Sequence, residues 1–188
     1  VQTDKFGEFS ELYAYSPKKD PSKRWKRLVK GDFEISYFFL NRQKTKIFYG
    51  AEKEGYSNIG GLDAMTFQPL SLPSFKNADH LSFGRITYNG RYLMIIVETA
   101  KAPRSNYVYD LKTKKLRKWT RPLVPEIDTS QFVKDKLEYY EAADGTKIPM
   151  FVTRSKKCEK APVPCPVIVK FHGGPESIST PGFSPLTQ

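Results

Sequence analysis

Short apolar runs separated by Pro, Gly, Asn and Lys fill residues 1–121, and none shows the 3.6-residue period of an amphipathic helix. Leu12-Tyr13-Ala14-Tyr15 alternates between the two faces of a strand, residues 17–21 break it with prolines at either end, and residues 25–29 resume it. Residues 35–40, a turn at 41–44 and residues 46–51 predict a hairpin, and Gly60-Gly61 leads into a further run at 62–67. The segment reads as all-β.

The series then repeats. Ile47-Phe48-Tyr49-Gly50-Ala51 stands 46 positions before Leu93-Met94-Ile95-Ile96-Val97, and residues 62–67 stand at the same offset before 108–111. The same step backward lands near residues 12–15. Strands recurring at that interval, each followed by a turn or basic stretch and another short strand, predict blades of a β-propeller, which run at about 40 to 50 residues each. A β-sandwich with coincidental spacing is the alternative. Residues 1–121 amount to fewer than three blades, whereas a closed propeller needs at least about four. They are therefore expected to be the C-terminal blades of one, a partial β-propeller.

Residues 122–131 carry Pro122 and Pro125 and no periodicity, which predicts an interdomain linker. Residues 132–188 then change character. A β-like run at 132–142, the turn pair Asp144-Gly145 and a returning strand at 147–153 predict a second hairpin. After a polar loop, the apolar residues 167–171 predict a buried strand that ends at His172-Gly173-Gly174-Pro175. Two glycines free the backbone there and the proline fixes the next φ, so a strand is expected to give way to a tight loop able to aim N–H groups at an anion. Antiparallel strands feeding a buried strand suit the entry to an α/β sheet, giving a mixed fold class.

Composition narrows the partners. With 39% apolar and 14% aromatic residues in 188, the chain has ample material for a folded core. Lys+Arg 31 against Asp+Glu 20 leaves +11, which would steer the surface toward nucleic acid or other anionic partners. The basic residues are spread through turns and strand edges, where lysine discourages edge-to-edge pairing, so a nucleic-acid partner is not favoured. No run approaches the roughly 20 apolar residues of a membrane span. No signal peptide is visible, but the first residue is Val1, so this carries no weight for localisation. Cys158 and Cys165 either close a small disulfide loop, which would favour a periplasmic or secreted protein over a cytoplasmic one, or stay separate thiols. No second cysteine pair exists for zinc, so neither metal nor cofactor is expected.

Val108-Tyr109-Asp110-Leu111, the hairpin Asp144-Gly145-Thr146-Lys147-Ile148-Pro149-Met150-Phe151, and His172-Gly173-Gly174-Pro175 together resemble the prolyl oligopeptidase family of serine peptidases. Residues 178–184 resemble the family's following loop. The resemblance implies a β-propeller over an α/β-hydrolase domain that hydrolyses short peptides, often beside proline, with a serine, an aspartate and a histidine as its catalytic residues. It places the serine in a Gly-x-Ser-x-Gly elbow, and no such motif occurs in the 188 residues. This chain is thus expected to lack all three catalytic residues, to be inactive alone, and to need the remainder of both domains. What the resemblance carries over is the loop: Gly174 as a backbone oxyanion donor, Gly173 permitting close approach, and His172 where several relatives have tyrosine. Glu176 and Ser177 would lie beside substrate. His80, in a polar stretch, reads as a surface residue, and Asp63, Asp110 and Asp144 read as turn-bonding carboxylates.

Overall fold

The computed structural model describes residues 1–122, 126–174 and 177–184. It opens with a three-stranded antiparallel sheet of β1 (Gln2–Thr3), β2 (Glu11–Tyr15) and β3 (Trp25–Arg27). A meander of β4 (Glu34–Leu40), β5 (Lys46–Lys53) and β6 (Tyr56–Asp63) follows, with an outer bridge from Leu62 to Pro69. The next meander has four strands, β7 (His80–Ile86), β8 (Tyr92–Thr99), β9 (Ala102–Asp110) and β10 (Leu116–Lys118). The two meanders meet through a single parallel pair, Ser57 with His80. They are successive blades touching at their edges, and β1–β3 forms a separate sheet that packs against the first meander through Leu12.

The 46-residue offset is a real structural repeat. β4 and β7 begin at Glu34 and His80, and β5 and β8 at Lys46 and Tyr92, 46 positions apart in each case. Turn chemistry repeats as well. Lys44 (φ 54°) and Gly90 (φ 71°) take the left-handed conformation at equivalent hairpin turns. Asp63 Oδ1 accepts from the N–H groups of Met65 and Thr66, and Asp110 Oδ1 from those of Lys112 and Thr113. The Arg91 guanidinium bonds the other oxygen of Asp110 and holds that carboxyl well below the usual carboxylate range. The strand expected at 62–67 lies several residues earlier: β6 runs Tyr56–Asp63 with Gly60 and Gly61 inside it, and the Asp63 turn ends it. At Gly60 the tip of the Tyr49 ring lies over the backbone where a Cβ would stand, so a larger residue there would displace that ring.

The middle blade is sandwiched between the sheets before and after it, which explains why β5 is apolar on both faces. Side chains alternate across a strand. Ile47 therefore packs with Leu12, Ile35 and Leu62, while its neighbour Phe48 packs on the opposite side with Leu81, Leu93 and Ile95. Phe48 is fully buried, its ring 5.4 Å from that of Phe39 and 5.2 Å from that of Phe83. The Tyr37 hydroxyl accepts from the Phe83 N–H at 2.9 Å and ties the blades together. Trp25 packs in an aromatic group with Phe6, Tyr13 and Tyr15. Trp119, by contrast, is largely exposed.

Beyond the blades, β11 (Lys136–Glu141) and β12 (Lys147–Val152) form the expected hairpin. Gly145 (φ 84°) makes its turn, and Asp144 accepts from the Thr146 N–H at 2.9 Å. The hairpin docks on the β5–β6 turn. The Tyr139 hydroxyl donates to Glu54 at 2.5 Å, Phe151 meets Tyr56 edge-on at 5.4 Å, and Gly55 (φ 81°) faces Phe151 and the Ser179 carbonyl. Four residues of helix, α1 (Lys156–Glu159), follow, and Cys158 and Cys165 are joined as a disulfide.

The predicted strand at 167–171 does not form. Val167, Ile168, Val169 and Phe171 are 68–95% exposed and make no ladder. A strand exists only through its neighbours, and no other described segment offers these residues an edge to pair with or a face to cover them.

Candidate functional site

The loop that follows is built on the backbone. Gly174 sits at φ 76°, a conformation that costs glycine nothing and other residues strain. Its carbonyl accepts from the Ser177 N–H at 3.3 Å. A Cβ at Gly173 would meet nothing within 4 Å, so a reacting group could approach that backbone closely. His172, Gly173, Gly174 and Ser177 are all exposed. Glu176 and Pro175 lie outside the described residues.

From this loop the chain runs directly into the wall of a cavity of about 390 Å³, to which Thr180, Pro181, Gly182, Phe183 and Ser184 contribute. The opposite wall comes from the blades, and its polar groups form a row across adjacent strands. Ser57 on β6 is in register with His80 on β7, and His80 is in register with Glu98 on β8. Arg104 on β9 completes the row. The Ser57 hydroxyl and His80 Nδ1 are hydrogen-bonded at 2.7 Å. Glu98 accepts from Arg104 Nε at 2.5 Å and from the Phe183 N–H at 3.3 Å, joining the blade to the segment after the loop. Pro181 is fully buried there, and Phe183 stacks at a tilt on Phe132 at 5.8 Å.

This row is not a nucleophilic triad. Serine and imidazole are within proton-transfer distance, but the carboxylate that would orient the ring is bonded to Arg104 and Phe183 instead. What it presents is a mixed donor and acceptor surface, with a hydroxyl, an imidazole, a carboxylate and a guanidinium within one concavity.

His80 was expected on the surface and instead opens β7 and lines the cavity. Its partners Ser57 and Glu98 were not singled out at all. The signal that could have found them is the repeat: aligned on its offset, Glu34 and His80 begin equivalent strands, which places 80 at a blade edge. The neighbouring Asp79 is 1% exposed; its Oδ2 accepts from the Ala100 N–H at 2.6 Å and its Oδ1 faces Lys134 Nζ at 3.3 Å. The contact is an ion pair without hydrogen-bond geometry, so this buried oxygen has no hydrogen-bond donor among the described residues. It still ties the segment before β11 to the last blade. Among the described residues, no cluster of His, Cys, Asp and Glu could hold a metal ion.

No family model matches the sequence, and no curated protein matches it. The fold, however, is shared with solved peptidases. Over 79% of its length the chain is similar to prolyl oligopeptidase B from Galerina marginata, with 16% identity and a TM-score of 0.65. A structure from a study of two prolyl endopeptidases matches 78% of the chain at 19% identity with a TM-score of 0.63. Porphyromonas gingivalis dipeptidyl peptidase 4 matches 81% at 15% identity with a TM-score of 0.57. The chain spans about a fifth of each of these structures, 20%, 21% and 21% respectively. The shared fold agrees with the resemblance carried by the hairpin and the glycine loop.

Proposed function

We propose that this chain is part of a serine peptidase of the prolyl oligopeptidase family, acting on short peptides and cutting beside proline. The observation that carries the reading is the order of parts on one chain. Propeller-type blades are followed by residues 122–131 as linker, by the Asp-Gly hairpin, and by a His-Gly-Gly loop in a fold shared with such peptidases. In this reading residues 132–188 begin the α/β-hydrolase domain.

The loop's part is electrostatic. As peptide hydrolysis passes through its tetrahedral stage, negative charge gathers on the former carbonyl oxygen. The N–H of Gly174 donates to it, a contribution worth about 3 to 4 kcal/mol per donor in such sites. His172 shapes the loop, and Ser177 and Glu176 flank the substrate. The nucleophile, base and orienting acid come from residues outside this sequence, so the 188 residues alone are inactive. The Cys158–Cys165 disulfide supports an oxidising compartment, periplasmic or extracellular.

The test is active-site labelling. Protein made from the complete reading frame should react with a serine-directed fluorophosphonate and hydrolyse a proline-anilide peptide, while residues 1–188 should do neither. Labelling or turnover by residues 1–188 would overturn the assignment of catalysis to residues outside them.

A further inference from the structure

A second concavity, of about 280 Å³ and lined by none of the glycine loop's residues, lies between the β8–β9 turn of the last blade and the elements around β12. Five cations line it: Lys101, Lys134, Lys136, Arg154 and Lys156. Only two carboxylates, Asp135 and Glu159, share the lining, which leaves a net +3. Like charges gathered in one cleft repel unless something neutralises them.

The chain's own acids do this incompletely. Lys134 is turned to Asp79. Lys136 and Glu159 stand 3.8 Å apart, as do Arg154 and Glu138, beyond the reach of a charge-assisted hydrogen bond. Asp135 accepts from the Thr153 hydroxyl. Lys101 and Lys156 have no ion pair among the described residues.

Both of these lysines sit on anchored backbone. Lys101 follows Ala100, whose N–H is held by the buried Asp79 carboxylate at 2.6 Å. Lys156 is on α1, which Ser155 caps and the Cys158–Cys165 disulfide pins. Anchoring limits the ordering cost of binding. A volume of about 280 Å³ is room enough for one compact group.

We infer that this cleft is a binding site for a small multivalent oxyanion of the phosphate type, and that the disulfide keeps it formed. The site is independent of the peptidase reading and bridges blade and hairpin.

The experiment is a titration of protein made from the complete reading frame with inorganic phosphate, followed by amide chemical shifts, against sodium chloride at matched ionic strength. The expected result is saturable shifts at residues around 101, 134–136 and 154–156, with millimolar affinity. Lys101→Gln and Lys156→Gln together should weaken binding at least tenfold, whereas Lys118→Gln, on the outer strand β10, should leave it unchanged. Reducing the disulfide should weaken it several-fold. Phenyl phosphate binding as tightly as inorganic phosphate would identify an esterified phosphate as the source; binding of inorganic phosphate only would identify the free ion, and both support the site. Shifts that do not saturate, or that persist undiminished in the double variant, would overturn it.

Discussion

Replacing Gly55 by alanine tests whether the β11–β12 hairpin is docked on the blades, and Gly145→Ala is its internal control. Both glycines lie in the left-handed region, at φ 81° and 84°. A Cβ at Gly145 would meet nothing within 4 Å, so that variant suffers only the left-handed strain, about 1 to 2 kcal/mol. At Gly55 the same atom would stand 2.7 Å from the Phe151 ring and 2.7 Å from the Ser179 carbonyl oxygen. The ring could swing away, but the carbonyl is backbone, so the segment before the cavity wall must shift. Overpacking of this kind adds about 1 to 3 kcal/mol. Gly55→Ala should therefore lose about 2 to 5 kcal/mol, and hydrogen exchange in β11 and β12 should accelerate selectively. Urea denaturation gives the first quantity, and exchange mass spectrometry the second. Equal losses in the two variants, with unchanged exchange in β11 and β12, would refute the docking.

Phe48→Ala should cost about 3 to 5 kcal/mol by emptying the space between blades, measurable by the same denaturation. Tyr37→Phe removes the acceptor of the Phe83 N–H and should cost about 1 to 3 kcal/mol, since that donor is left part-buried and unpaired. Asp63, Asp110, Asp128 and Asp144 all have carboxyls lowered by hydrogen bonds, led at Asp110 by Arg91. Their stabilisation is present above the unfolded carboxylate range near pH 4 and is lost as pH falls through the lower folded values. Thermal melts should thus fall steadily below about pH 4, and Asp110→Asn should flatten part of that decline. The exposed 167–171 segment should make residues 1–188 associate, and Val169→Lys should reduce it; sedimentation velocity showing one monomeric boundary for the unaltered chain would contradict this.

The blades were legible because a blade is a local object. Its strands pair with sequence neighbours, its turns carry Asp, Asn and Gly where the backbone needs them, and the two buried faces of the middle blade show as the apolar run 47–51. Boundaries failed where packing decided: Gly60-Gly61 looked like the lead-in to a strand but lies inside β6, where the Tyr49 ring packs over Gly60. The run at 167–171 has the composition of a buried strand, yet burial belongs to a sheet and not to a segment, and the described residues supply none. The cavity was illegible for a related reason. Ser57, His80 and Glu98 are scattered along the sequence, and only strand register sets them side by side.

The most direct test of the central claim is active-site titration of the protein encoded by the complete reading frame. Stoichiometric fluorophosphonate labelling on a serine beyond residue 188, together with hydrolysis of a proline-anilide peptide that the label abolishes, is the predicted result. A protein that folds, fails to label and hydrolyses no proline-containing peptide would contradict it.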